Sequence, residues 1–171
     1  MKKETKGNLF IGLAFAVMLV LYYSSSQSYE DQSMTGLLDR WLANEPLKEF
    51  LSPIQFTYAG SEVSIHAQGY SAFVEFFIRK AAHFGSYFLL ASFWLLGLKE
   101  KMTSLPLTAV LSWLLAVGYA SFDEFHQSLT PDRTPLPQDI VLDSVGAATG
   151  LAICLIFIYA TKKKRKKRKR K

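Results

Sequence analysis

Lys80, His83 and Tyr87 stand at i, i+3 and i+7, which is one face of an α-helix. An ammonium, an imidazole and a phenol in that register could hold an anion or pass a proton. Two acidic groups can answer them. Asp123 and Glu124, with Gln127 one turn further on, close one apolar run, and Asp139 and Asp143, four residues apart, open the next. Ionisable side chains bordering long apolar runs are costly at membrane depth and by default mark a functional site. A lysine so placed needs a carboxylate, and Asp123 or Glu124 is the expected partner. Lys80, His83, Asp123 and Glu124 are the candidates for acid–base work. Ligand binding would draw on these four together with Tyr87, Gln127, Arg133, Asp139 and Asp143.

The elements that must position these groups are four apolar runs. The expected fold is an all-α membrane protein with spans at about residues 8–24, 72–98, 105–123 and 139–160. Helix rise tests whether the polar residues can meet. Lys80 precedes Leu98, and Asp123 follows Leu105, by eighteen residues each, so both lie roughly 27 Å from the short turn joining those spans. Asp143 and Ser25 reach a similar height on the fourth and first spans. One level near one face of the bilayer therefore collects polar groups from all four helices.

An outer insertion, residues 25–70, separates the first two spans. Met34, Leu37, Leu38, Trp41 and Leu42 recur at helical spacing, which predicts a short amphipathic helix in the interface or capping the bundle. Residues 55–58 and 62–65 alternate around Ala59-Gly60-Ser61, a hairpin signal. Residues 1–161 are expected to form a single membrane domain and 162–171 a basic tail.

Charge is partitioned in a way that fixes an expected orientation. The net charge of +6 comes from the tail, since residues 162–171 are all Lys or Arg. The N-terminus, the turn at Lys99 and Lys101, and the tail hold fifteen of the twenty basic residues, and four spans put all three on one side. By the positive-inside rule that side is the cytoplasm, so both termini are expected there. A terminal basic block after an apolar helix fits anionic lipid headgroups, not nucleic acid. The first run is expected to stay as an anchor, because Ser24-Ser25-Ser26-Gln27 makes a poor cleavage site. Cys154 is the only cysteine, which excludes an intrachain disulfide. His66, His83 and His126 lack ligand spacing to one another, so neither a metal site nor a cofactor is expected. Arg79 reads as a snorkelling interface anchor, His126 as a loop residue, and Gly146 with Gly150 as a small-xxx-small packing face.

Three blocks of this chain resemble the VanZ-like family of bacterial membrane proteins. They are Tyr23-Ser24-Ser25-Ser26-Gln27; Lys80, His83, Phe84 and Tyr87; and Asp123, Glu124 and Gln127, followed by Arg133 and then Asp139, Asp143 and Gly146. The chain departs from the pattern at Asp132, where a glycine commonly precedes the loop arginine. The resemblance implies an integral membrane protein of the cell envelope, in a family sometimes linked to reduced susceptibility to the glycopeptide teicoplanin and without a settled biochemical activity. Three functions fit. The polar pocket could bind an amphiphile or lipid headgroup in the outer leaflet, such as a membrane lipid, a lipid-linked cell-wall intermediate or the glycopeptide itself. It could instead be a membrane enzyme working by acid–base chemistry on such a headgroup, or part of a transporter or flippase. Whether the protein is an enzyme, and its oligomeric state, stay open at this point.

Overall fold

The computed structural model describes residues 3–131 and 133–168; Met1, Lys2, Asp132 and the last three residues of the basic block lie outside them. In chain order the elements are α1 (Lys3–Ser25), α2 (Tyr29–Gln32), α3 (Thr35–Trp41), α4 (Lys48–Leu51), β1 (Phe56–Tyr58), β2 (Ser61–Val63), α5 (Ile65–Gln68), α6 (Tyr70–Leu98), α7 (Leu105–Gln127) and α8 (Pro137–Arg168). Of these, α1, α6, α7 and α8 are long and apolar enough to cross a bilayer. The protein is an all-α membrane protein with four such helices and an insertion between the first two.

Local chemistry sets the boundaries. Ser104 caps α7, its side chain accepting from the Leu107 amide at 3.4 Å, and Pro106 sits in the first turn where no amide is needed. Ser64 caps α5 in the same way. In the hairpin, Phe56 pairs with Val63 and Tyr58 with Ser61, leaving Ala59-Gly60 as a two-residue turn with φ of 50° and 83°. Positive φ at both positions is the twist that lets tight hairpins close.

α6 is the central helix, against which α1, α7 and α8 all pack. Its Tyr87, Leu90, Ala91 and Leu95 are fully buried, opposite Ala14, Ala116, Ala120 and Ala147 from the other three spans. Alanine and glycine at helix crossings let backbones approach, which is how apolar helices gain contact in lipid. A Cβ at Gly146 would lie 2.5 Å from the Phe84 carbonyl oxygen, and one at Gly150 would meet that of Phe88, so α8 rides directly on the α6 backbone. The outer surface is apolar: Leu19, Val20, Leu107, Leu114, Val141, Ile156 and Phe157 are each 54–69% exposed. A belt of that kind belongs against acyl chains, not water.

The helices run on beyond the apolar stretches that mark the expected spans, α7 to Gln127 and α8 to Arg168. Lys and Arg are good helix formers, and nothing breaks α8 at residue 160. His126 consequently lies in the last turn of α7, not in a loop. The amphipathic stripe forms the short helix expected of it: α3 runs between its capping residues Met34 and Leu42, buries Leu38 and leaves Trp41 77% exposed.

Candidate functional site

The four spans alternate in direction, so the C-terminal ends of α1 and α7 meet the N-terminal parts of α6 and α8. Lys80 on α6 donates to both carboxylate oxygens of Asp139 on α8, at 2.6 and 2.8 Å. The Tyr58 hydroxyl, from β1, donates to the same carboxylate at 2.5 Å, and the Lys80 ammonium lies 4.6 Å from the Tyr58 ring centroid. Asp139 is therefore the partner of Lys80, not Asp123 or Glu124 as expected. Helix rise brings acids of α7 and α8 to one end of the bundle, but rotation about the axis decides which one faces α6. Asp139 and Asp143 lie on the stripe that continues to Gly146 and Gly150, and that stripe is clamped to α6.

One turn deeper, His83 Nδ1 stands 3.5 Å from Asp143 Oδ2, within ion-pair distance but not aligned as a hydrogen bond. The α7 carboxylates are held differently. Glu124 Oε2 accepts the Leu136 amide at 2.7 Å, which ties the α7–α8 connection to the bundle. Asp123 Oδ2 accepts from Gln127 Nε2 at 3.3 Å. Their other oxygens, the Tyr87 hydroxyl and both oxygens of Asp143 are buried without a hydrogen-bond partner among the described residues. Such groups are costly and ask for a reason.

Above this layer opens a cavity of about 330 Å³. Arg79, Lys80, His83 and Arg133 line it together with Gln127 and Asp139. Tyr87, Asp123, Glu124 and Asp143 lie outside its lining. Two of its three permanent cations are already paired, Lys80 with Asp139 and Arg79 with Glu75 just outside the lining. Arg79 is not the snorkelling anchor expected from sequence. Its guanidinium pairs at 2.6 Å with Glu75, which is 1% exposed, and lies 4.4 Å from the Tyr29 ring centroid. An acid buried one turn earlier draws the arginine inward instead of towards the interface.

Arg133 is held by neutral groups: its Nε donates to the Gln27 carbonyl at 3.2 Å and its terminal nitrogen to the Gln32 side-chain oxygen. Gln32 in turn donates to the Ser24 carbonyl and hydroxyl at 2.5 and 2.8 Å, so the end of α1 and the loop before α8 are knitted together. Burial, and next the neighbouring Arg79 guanidinium, push Arg133 below the ordinary arginine range. His126 faces another way, with Nδ1 2.8 Å from Ser25 Oγ and its ring stacked on Tyr22.

Sequence reasoning missed Glu75, Tyr58 and Gln32. Glu75 and Arg79 are four apart on a helix, a legible pair. Tyr58 and Gln32 gave no signal, because their roles depend on the insertion folding back over the bundle. No group of three or more His, Cys, Asp or Glu gathers into a metal-binding arrangement among the described residues.

Fold and site together define a multi-pass helical membrane protein with a cavity lined by Arg79, Lys80 and Arg133 at one end of its bundle. The chain belongs to the VanZ/LLP1 family, whose model matches residues 10–158. Comparison with curated proteins and with solved structures gave no match.

Proposed function

We propose that this protein sits in the bacterial cell membrane with both termini in the cytoplasm and binds an amphiphile by its anionic headgroup at the outer leaflet. The charge asymmetry supports the orientation, since fifteen of twenty basic residues fall on the side opposite the cavity. One observation carries the ligand class. Lys80 and Arg79 each have a carboxylate, but the bonds of Arg133 among the described residues go to neutral oxygens, with a second guanidinium near by. A phosphate or carboxylate between Arg79 and Arg133 would relieve that repulsion and present the planar match that arginine favours. Sequestering such a headgroup, or the lipid tail and head of a glycopeptide, is the route by which antibiotic susceptibility would change.

The test is lipid binding in nanodiscs, comparing phosphatidylglycerol and a polyprenyl phosphate with phosphatidylcholine. The anionic lipids should bind preferentially, and Arg133→Gln should weaken them about 10- to 100-fold, the value of a charge-assisted hydrogen bond. Equal binding of all three lipids to the wild-type protein would refute the reading.

A second reading, acid–base catalysis on the bound headgroup, draws support from the unpartnered oxygens of Asp143 and Glu124 beneath the cavity. It requires that a deletion strain show an altered lipid species that wild-type protein restores and Glu124→Gln does not.

A further inference from the structure

A second cavity, of about 350 Å³, adjoins the first and shares with it Tyr29, Arg79, Lys80, Thr134 and Leu136. Both volumes fall in the roughly 300–1,000 Å³ range of small-molecule sites. Their chemistry differs. Beyond the shared wall, the first is lined by Arg133, His83, Asp139 and amide side chains, whereas the second runs under the hairpin, between Tyr58, Ser61, Glu62, Gln68 and Phe76. Glu62 is unfavourable to a second anion there. Among the described residues, Gln68 Nε2 is buried and unpartnered, which is unfavourable to a purely apolar occupant. Three aromatic rings also line it: Tyr58 and Phe76 meet edge to face with ring centroids 5.3 Å apart, and Lys80 lies over one face of each, as Arg79 lies over Tyr29. Aromatic surface interleaved with an amide donor, a hydroxyl and a carboxylate acceptor suits an uncharged, many-hydroxyl ring, whose C–H faces stack while its hydroxyls are paired.

We infer that the cavity under the hairpin is a sugar subsite, continuous with the anion subsite, and that the ligand is a lipid phosphate carrying a saccharide. This rests on the anionic-headgroup reading above and extends it. The shared wall is what joins the two parts: Arg79 and Lys80 would bridge a phosphate in the first cavity to a sugar in the second. The outer insertion supplies most of the second subsite, through Tyr58, Ser61, Glu62 and Gln68, while the four spans supply most of the first.

The experiment compares three probes on the full chain in nanodiscs: a short-chain isoprenyl phosphate, and the same lipid bearing glucose or N-acetylglucosamine on its phosphate. At least one glycosylated probe should bind 10-fold or more tightly than the bare phosphate. Gln68→Leu removes an amide donor that has no partner among the described residues, so folding should survive, as checked by helicity and thermal unfolding. In that variant the advantage of the sugar should fall to within about 3-fold, with the bare phosphate unaffected. If all three probes bind wild-type protein equally, or Gln68→Leu leaves the sugar advantage intact, the subsite is refuted while the anion site stands. If no probe binds with dependence on Arg133, both readings fail.

Discussion

Replacing Asp139 by leucine strands the Lys80 ammonium among Tyr58, Phe76 and the cavity wall. The wild-type contact consists of two ammonium bonds and one from the Tyr58 hydroxyl, with the Lys80 and Asp139 side chains only 19% and 9% exposed. Breaking a fully buried pair costs 3–5 kcal/mol. Water reaching Lys80 through the cavity brings the expected loss to the low end, about 3 kcal/mol. Lys80→Met should cost less, about 2 kcal/mol, because Asp139 keeps the Tyr58 hydroxyl as a donor. The double variant removes both charges and leaves only the Tyr58 hydroxyl seeking water, so it should cost no more than about 2 kcal/mol. The two singles are therefore strongly non-additive, with a coupling on the order of 3 kcal/mol. Reversible unfolding in mixed detergent micelles, followed by helicity, measures all four corners of the cycle. A coupling below about 0.5 kcal/mol would mean that Lys80 and Asp139 do not form a pair, and the assignment of α8 to the Lys80 face of α6 would fall.

Two further outcomes follow from the packing and the exposed insertion. Gly146→Val should destabilise by about 1–3 kcal/mol in the same assay, since its Cβ must displace the Phe84 carbonyl, whereas Gly85→Ala has open space and should be neutral or stabilising by up to about 1 kcal/mol. Trp41 and Phe50 of the insertion are 77% and 75% exposed and should dip into the headgroup region; brominated lipids should quench a Trp41-only variant, and quenching no greater than that by a water-soluble quencher would contradict this.

Hydropathy alone located the four spans, because a bilayer demands length and apolarity and little else. Hydropathy does not give the helix ends, because helix propensity governs the turns beyond the apolar run, as at Gln127 and on α8 as far as Arg168. Within the site, rise per residue made legible that Lys80, Asp123 and Asp143 gather towards one end of the bundle, although Asp143 lies one turn below the Lys80–Asp139 pair, beside His83. The pairing of Lys80 was not legible, since rise says nothing of rotation about the helix axis. A usable signal existed in Gly146 and Gly150, whose stripe runs straight up to Asp139 and Asp143 and so points those acids at whichever helix α8 touches most closely. The roles of Tyr58, Gln68 and Gln32 were beyond reach, because they depend on how the insertion is laid over the bundle, where no periodicity applies.

α8 runs unbroken for 32 residues, about 48 Å, which exceeds the roughly 30 Å of hydrocarbon. The carboxylate that grips Lys80 and the first residues of the basic block are thus mounted on a single rigid shaft. A change of tilt at the Asp139 end has no hinge in which to dissipate, so it must reappear as a lateral sweep of positive charge across the opposite leaflet.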